Sequence, residues 1–270
     1  MTREIKSYDD LSLLEKIFMT LYCYKLPGKE VSSDMSTDGN LRDNPLQNLS
    51  GTFGQKFLGQ IKDKIVLDVG CGTGEQVVGV ALQGAKKAIG VEIRNMQDES
   101  KIWASELGVS DRVEFSTISI KELPESSVDI AYCQNSFEHF SDPQTILEDI
   151  NYVLKKNGKL FISFGPPWLA PYGVHMYFMI KYPWAHVLFS EKTILNVRKL
   201  YRSDNANRYG EVEGGLNKMT YRRFKKIVND SNYDIESEEL MPVKGVKILS
   251  SLPVIKEFFI AKIAAVLVKK

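Results

Sequence analysis

"IVLDVGCGTGE", residues Ile65 to Glu75, is the stretch on which the reading of this chain turns. An apolar run ends in Asp68 and Val69, and Gly70, Gly72 and Gly74 then alternate ahead of a segment of helical character, EQVVGVAL. Glycines at that spacing let the backbone turn tightly and let a ligand approach the main chain with no Cβ in the way. The turn lies at the carboxyl end of its strand, where open α/β sheets bind ligands. A dinucleotide fingerprint, G-x-G-x-x-G, would need a third glycine where Glu75 stands. A carboxylate at a helix start repels a pyrophosphate but suits a ligand carrying positive charge, and Asp68 can hold an ammonium. About twenty residues on, "AIGVEI" ends in Glu92, a carboxylate suited to paired ribose hydroxyls. An adenosine with a cationic amino-acid tail meets these constraints together.

Outward from this loop the pattern alternates. Strands are predicted at Lys64–Val69, Lys87–Ile93, Arg112–Thr117, Val128–Cys133 and Lys159–Phe164. Helices are predicted after Gly74, across Met96–Leu107, and from Asp142 to Leu154, the last opened by Ser141-Asp142-Pro143. The turn Lys156-Asn157-Gly158 leads into the fifth strand. Such alternation predicts βαβ units and a doubly wound, mostly parallel sheet of the α/β class with helices on both faces. Further on, Thr220 caps a helix with Phe224, Ile227 and Val228 on one face, and strands follow at Tyr233–Met241 and Phe258–Val268. At the other end, Leu11, Leu14, Ile17, Phe18, Leu21 and Tyr22 predict the apolar face of a helix from Tyr8 to Lys25, with a polar surface loop from Pro27 to Ser50. Residues 1–60 are thus expected as a helix-and-loop extension and 61–270 as the main domain, with 165–219 inserted after strand five.

Composition bounds the partners. With 43% apolar and 26% charged residues among 270, the chain has material for one elaborated core and no disorder signature. A net charge of +1 excludes an overall basic character of the kind nucleic-acid binders show. Cys23, Cys71 and Cys133 are scattered, so neither a disulfide framework nor a metal-ligand spacing is expected, and a reducing cytoplasm fits. The segment MTREIKSYDDLS has none of the order of a signal peptide.

Four motifs in sequence carry a resemblance to a known family. "LDVGCGTG" and "GVEI" are followed by "ISIKELPESSVDIAYCQNSFEHFSDP" and "ILEDINYVLKKNGKLFISF". Over roughly Ile61 to Phe164 the chain resembles the class I S-adenosylmethionine-dependent methyltransferases, in the type 11 manner. That resemblance implies a Rossmann-like seven-stranded sheet whose last strand is antiparallel, S-adenosylmethionine as cofactor and S-adenosylhomocysteine as product. It places the methionine end of the cofactor at Asp68, Gly70, Cys71, Gly72 and Gly74, and the ribose at Glu92 and Ile93. Adenine would lie near Ser119 and Ile120, where Ser119 replaces the Asp that many members carry and accepts a hydrogen bond more weakly. Gln134 and Asn135 fall where members face the sulfonium and the acceptor. His139, in "SFEHF", matches a histidine that in the family more often braces the loop than touches substrate.

The insertion holds "GPPWLAPYGVHMYFMIKYPWAHVLF", Gly165 to Phe189, too broken by proline for one helix. Leaving the carboxyl edge of the sheet, it is expected to cap the acceptor site, with Trp168, Tyr172, Tyr177, Trp184 and Phe189 excluding water. His175 is the first candidate for a general base toward a hydroxyl acceptor and His186 the second. The acceptor is expected to be a small molecule or a glycan or lipid intermediate, methylated on oxygen. "GPPW" has Gly165 in place of an acid or amide and follows strand five, which disfavours methylation of DNA bases or glutamine. "RKLYRSDNANRY" and "YRRFKK" suit an anionic acceptor such as a nucleotide sugar; RNA or protein docking, or a non-catalytic cofactor-binding module, are the rival readings. Lys244, Lys247, Lys256, Lys262, Lys269 and Lys270 oppose Glu257 alone after residue 241, a basis for weak peripheral membrane contact.

Overall fold

The computed structural model describes residues 5–26, 42–244, 252–253 and 255–270. Its sheet has seven strands: β1 (Ile65–Val69), β2 (Lys87–Val91), β3 (Val113–Ser116), β4 (Val128–Gln134), β5 (Leu154–Phe164), β6 (Tyr233–Pro242) and β7 (Ile260–Lys269). They lie in the order β3-β2-β1-β4-β5-β7-β6, with β7 antiparallel to both neighbours and the first five parallel. The strand order reverses between β1 and β4, which opens a crevice at their carboxyl ends.

Alternation along each strand divides the core in two. Leu67 and Val69 of β1 meet Ala131 and Cys133 of β4 and Leu160, Ile162 and Phe164 of β5 on one face. That face is covered by α6 (Pro143–Val153), through Leu147, Ile150 and Val153, and by α9 (Tyr221–Asn229), through Phe224 and Val228. Asp142 and Thr220 cap these helices as their positions predict, accepting from Thr145 N and Arg223 N. Val66, Ile130, Tyr132 and Phe161 point the other way, onto α2 (Gln47–Phe53), α3 (Gln55–Gln60), α4 (Glu75–Leu82) and α5 (Asp98–Glu106). Residues one apart thus serve opposite layers, and strands buried on both faces read as unbroken apolar runs.

Several expected boundaries move. The turn expected at Lys156-Asn157-Gly158 lies inside β5, as a bulge that shifts its register with β4 between Val128 and Ile130; Asn157 sits there at φ 60°. The first part of the polar loop expected at Pro27–Ser50 lies outside the described residues, and its end is α2 rather than loop. Lys247 also falls outside them.

The N-terminal helix is shorter than expected, and only part of its expected apolar face is buried. It is α1 (Leu13–Tyr22), entered through a short 3-10 turn at Tyr8–Asp10 and capped by Ser12 and Glu15, with Glu15 N donating to Ser12 Oγ and Ser12 N to Glu15 Oε2. Of the expected apolar face, Leu11 and Phe18 are buried and Tyr22 packs with them, while Leu14, Ile17 and Leu21 are exposed together with Leu13 and Glu15 takes a buried place instead. The reason is a polar contact in an apolar setting: Asn196 Nδ2 donates to Glu15 Oε1 at 2.6 Å, tying α1 to α8 (Glu191–Arg198).

This helix does not brace the sheet. Phe18 packs on Phe189 with centroids 4.8 Å apart, Cys23 bridges to Ile180, and Tyr24 N donates to Met179 O at 2.8 Å. Residues 5–23 therefore share one apolar cluster with the insertion, including the short helix α7 (Ala185–Leu188). The extension expected as one unit over 1–60 divides: α1 belongs with the insertion, α2 and α3 with the sheet.

Where the insertion begins, Gly165 passes the start of β7 so closely that a Cβ there would lie 2.4 Å from the Ala261 carbonyl oxygen and 2.9 Å from Lys262 Cα. Both are backbone atoms in a paired strand and cannot give. Gly165→Ala is expected to destabilise the fold by about 1–3 kcal/mol through overpacking, lowering the melting temperature by several degrees. A melt within 1 °C or so of the parent would refute this.

Candidate functional site

At the β1/β4 switch point lies a cavity of about 420 Å³. One wall is the glycine loop with the first turn of α4: Asp68, Gly70, Cys71, Gly72, Thr73, Glu75 and Gln76. The end of β4 supplies Gln134 and Asn135, and Gln76 Nε2 donates to Gln134 Oε1 at 3.0 Å. The rest of the lining is His139, residues 174–178, Arg198, Arg202 and parts of 212–216.

Main-chain bonds fix the loop. Gly70 N and Cys71 N both donate to Val91 O, at 2.8 and 3.2 Å. Gly72 N donates to Glu92 Oε2 at 3.2 Å, and Gln97 Nε2 donates to Gly72 O at 2.8 Å. Gly72 has φ 54° and no atom within 4 Å of where a Cβ would stand, so that face of the loop is open to a ligand. Gly74 is glycine for a different reason: at φ 93° its Cβ would come 2.5 Å from the Phe115 ring.

Charge in the wall is negative and partly suppressed. Burial pushes the Asp68 carboxyl up to about 8; the Tyr132 hydroxyl opposes this and the charge of Glu92 adds to it. The Cys71 and Cys133 thiols are also pushed up by burial, so neither is a nucleophile at neutral pH.

On the far side three side chains meet. His139 and His175 stand edge to face, 5.6 Å between centroids. His139 Nδ1 lies 2.6 Å from Gly215 O and His175 Nε2 lies 2.9 Å from Pro166 O, so each of those nitrogens carries the proton and donates it to a carbonyl. With them is the buried Glu138, whose Oε1 accepts from Gly165 N at 3.2 Å and whose Oε2 has no partner among the described residues. Burial lowers the His175 pKa, against the charge of Glu138 and its bond to Pro166, and keeps the ring neutral. His175 also has φ 55°, uncommon for a residue with a Cβ.

The other sequence candidates sit elsewhere. His186 lies off this wall, its Nε2 2.5 Å from Trp168 O and its ring against the Trp168 indole. Glu92 adjoins the loop but bonds Gly72 N and Arg94 and does not wall the cavity. Ile93 is 89% exposed, and Ile120 is buried in the core. Ser119 caps a 3-10 turn with Glu122, which takes up its backbone N–H. Of the five aromatics expected in the cap, Tyr177 alone lines the cavity; Phe189 packs on Phe18 of α1, Trp168 meets His186 and Tyr209 within the insertion, Tyr172 stacks near Tyr177, and Trp184 meets Phe259. Sequence reasoning missed Thr73, Glu75 and Gln76 as wall residues, although their place in the loop could have shown them. It also missed 212–216, for which Gly214-Gly215 signals only a turn.

Comparison with known proteins bears on the glycine loop and its sheet. Residues 67–162 match the family described as "Methyltransferase domain". A ubiquinone biosynthesis O-methyltransferase of Neisseria meningitidis serogroup C is 31% identical over 107 residues, covering 38% of this chain and 44% of that protein. The O-methyltransferase rstn1 of Aspergillus nomiae is 30% identical over 120 residues, 43% of this chain and 53% of its own. The chain thus spans about half the length of these curated relatives. Among solved structures, geranyl diphosphate C-methyltransferase from Streptomyces coelicolor A3(2), crystallised with S-adenosyl-L-homocysteine, superposes with a TM-score of 0.54 at 13% identity, covering 81% of this chain and 74% of its own. At that identity the likeness is one of fold.

Proposed function

We propose that this chain, which belongs through residues 67–162 to the class I S-adenosylmethionine-dependent methyltransferases, transfers a methyl group to an oxygen of a small acceptor, either a free metabolite or a glycan or lipid intermediate. The observation that carries the reading is one cavity with a carboxylate-bearing glycine loop on one side and the neutral imidazole of His175 on the other. The residues present fit the cofactor: open space at Gly72 admits a ligand to the main chain, and Asp68 and Glu75 favour its positive charges. When bound, S-adenosylmethionine supplies a methyl group on a sulfonium sulfur, open to displacement by an oxygen nucleophile.

The chain's own residues would do the rest. Asp68 pairs with the ammonium of the cofactor, and Gln134 and Asn135, at the end of β4, hold the reacting end in line with the acceptor. Residues 174–178 close the cavity from the insertion side and exclude water, which makes this segment a substrate cap. His175, uncharged and facing the cavity, draws the proton from the acceptor hydroxyl. Arg198 and Arg202 are buried in the wall, the Arg202 guanidinium 4.2 Å from the Phe178 ring centroid, and favour an acceptor with an acidic substituent. These are two of the basic residues that an RNA-docking face would have to display outward. Their burial supports a small acceptor over RNA. No helix among the described residues is long and apolar enough to cross a membrane.

The test is transfer of labelled methyl from S-adenosylmethionine into a source-cell extract separated into small molecules, lipids, glycans, protein and RNA. Label among small molecules, glycans or lipids supports the reading. Label confined to protein or RNA overturns it, and so does a failure to bind the cofactor.

A second expectation concerns the loop. Asp68→Asn should weaken S-adenosylmethionine binding by roughly 10–100-fold, the worth of a hydrogen bond to a charged group. Its pH dependence has a defined sign. Asp68 ionises near 3.8 when unfolded and at about 8 in the fold, beside Tyr132, Cys71 and Glu92. Its contribution to stability is complete below the first value and is lost as pH rises through the second. The ligand-free Asn variant should therefore gain in melting temperature relative to the parent from pH 6 to pH 9 or so. Cofactor affinity of the parent should rise over the same window, with a proton released on binding, while that of the variant stays flat. Calorimetry in buffers of differing ionisation enthalpy reads the proton; none released at neutral pH would remove Asp68 from the contact.

A further inference from the structure

We infer that Glu138, His139 and His175 form a site for one divalent transition-metal ion at the acceptor side of the cavity, and that the ion takes an oxygen ligand from the acceptor. Each of the three offers one donor atom, and the donors lie within 4.8 Å of one another. Ligands of a tetrahedral ion with bonds of ~2.05 Å are about 3.3 Å apart, so binding requires only a modest inward movement of side chains.

Three independent features separate this corner from an ordinary polar cluster. First, each imidazole has one nitrogen already committed to a backbone carbonyl, His139 Nδ1 to Gly215 O and His175 Nε2 to Pro166 O. Such bonds fix the tautomer and leave the lone pairs of His139 Nε2 and His175 Nδ1 for a ligand, the usual outer arrangement around metal-bound histidine. Second, Glu138 is 3% exposed and its Oε2 has no partner among the described residues. A carboxylate oxygen left so is costly unless something positive occupies the space before it. Lys262 feels the charge of Glu138, but its ammonium donates to Thr52 Oγ1 at 2.7 Å. Third, His175 is held at φ 55°, uncommon for a residue with a Cβ, and its ring meets that of His139 edge to face.

Two nitrogens and one carboxylate oxygen suit Zn²⁺, Co²⁺, Mn²⁺ or Fe²⁺ better than the all-oxygen preference of Mg²⁺ or Ca²⁺. Three protein ligands leave positions open, and His139 and His175 line the cavity, so those positions face the acceptor. An acceptor hydroxyl bound there loses its proton more readily: the O–H bond breaks, the electron pair stays on oxygen, and the proton leaves to solvent. An acceptor with two neighbouring oxygens would fill two open positions and be fixed in one orientation. The inference rests on the proposed oxygen methylation for this role alone. Binding of the ion does not depend on it. In the loaded protein His175 acts as a ligand, and the ion takes over the deprotonation otherwise assigned to that ring.

The experiment uses the full chain, stripped with a chelator and titrated with Co²⁺, whose visible absorption reports its coordination, and with Zn²⁺ by calorimetry. One equivalent should bind, with absorption of a tetrahedral or five-coordinate site. Glu138→Gln and His175→Ala should each weaken binding at least tenfold, and His186→Ala should leave it unchanged. Retained cofactor binding in each variant shows that it is folded; if Glu138→Gln fails that check, His139→Gln takes its place. No saturable site in the parent, or a site untouched by the first two substitutions, overturns the inference. Metal binding without methyl transfer would sink the proposed function and leave the site standing; transfer unaffected by chelation, with no metal bound, would do the reverse.

Discussion

His175→Ala is expected to lower methyl-transfer turnover by about 10²–10⁴-fold, the range for losing a positioned group that handles the acceptor's proton, with cofactor affinity changed less than about threefold. Both parts follow from where the ring sits. It lines the cavity from the insertion and makes no hydrogen bond to the glycine loop, so its removal should spare Asp68 and Gly72. Burial lowers its pKa from 6.5, reinforced by His139 and opposed by Glu138 and the Pro166 carbonyl. The ring is therefore neutral at physiological pH, and the acid limb of the turnover profile should lie below pH 6.5 and vanish in the variant. His186→Ala serves as the contrast. That ring is bonded to the Trp168 carbonyl away from the wall, and turnover should stay within about threefold of the parent. Equal turnover in the parent and the His175 variant would take this residue out of the chemistry.

Phe18→Ala is expected to cost about 3–5 kcal/mol, but in one part of the molecule. The Phe18 ring is fully buried and meets Phe189 and Tyr22 in the cluster that α1 shares with the insertion, which is separate from the two clusters on the sheet. Its loss should let the cap open locally, so that amides of 165–219 exchange with solvent roughly 10²–10³-fold faster, while those of β1, β4 and β5 are little changed. With residues 174–178 in the proposed role of excluding water, turnover should fall, and cofactor affinity should persist. Uniform acceleration through the sheet would show that cap and sheet unfold together.

What the sequence made legible was whatever is encoded locally. The apolar run closed by Gly70, Gly72 and Gly74 specifies strand, tight turn and helix within a dozen residues, and the alternation after it specifies parallel crossovers. The caps Asp142 and Thr220 were legible for the same reason. Ser119 was misleading because its family position and its local role differ: Ser119 and Glu122 spell a capping pair, and the structure uses them so. The face of α1 was legible only in part: Leu11, Phe18 and Tyr22 turn inward as their spacing predicts, but the burial of Glu15 depends on a hydrogen bond from Asn196, far along the chain. Nor was the meeting of Glu138 and His139 with His175, which depends on how the cap folds back over β4. The basic stretch from Arg198 read as a docking face, yet Arg198 pairs with Asp204 and lies within the wall.

The place of β7 in the sheet bears on the order in which the protein can assemble. It follows β6 in sequence but lies between β5 and β6, pairing antiparallel with both. Until residues 260–269 have left the ribosome, β6 has no neighbour, and β5 offers its unpaired backbone edge to any extended chain nearby. The nascent protein thus passes through a stage in which the glycine loop and the first five strands can already be formed while the sheet remains open on one side. Chaperone capture, or pairing with a second nascent chain, would compete at that edge, and docking of β7 ends the competition by closing it.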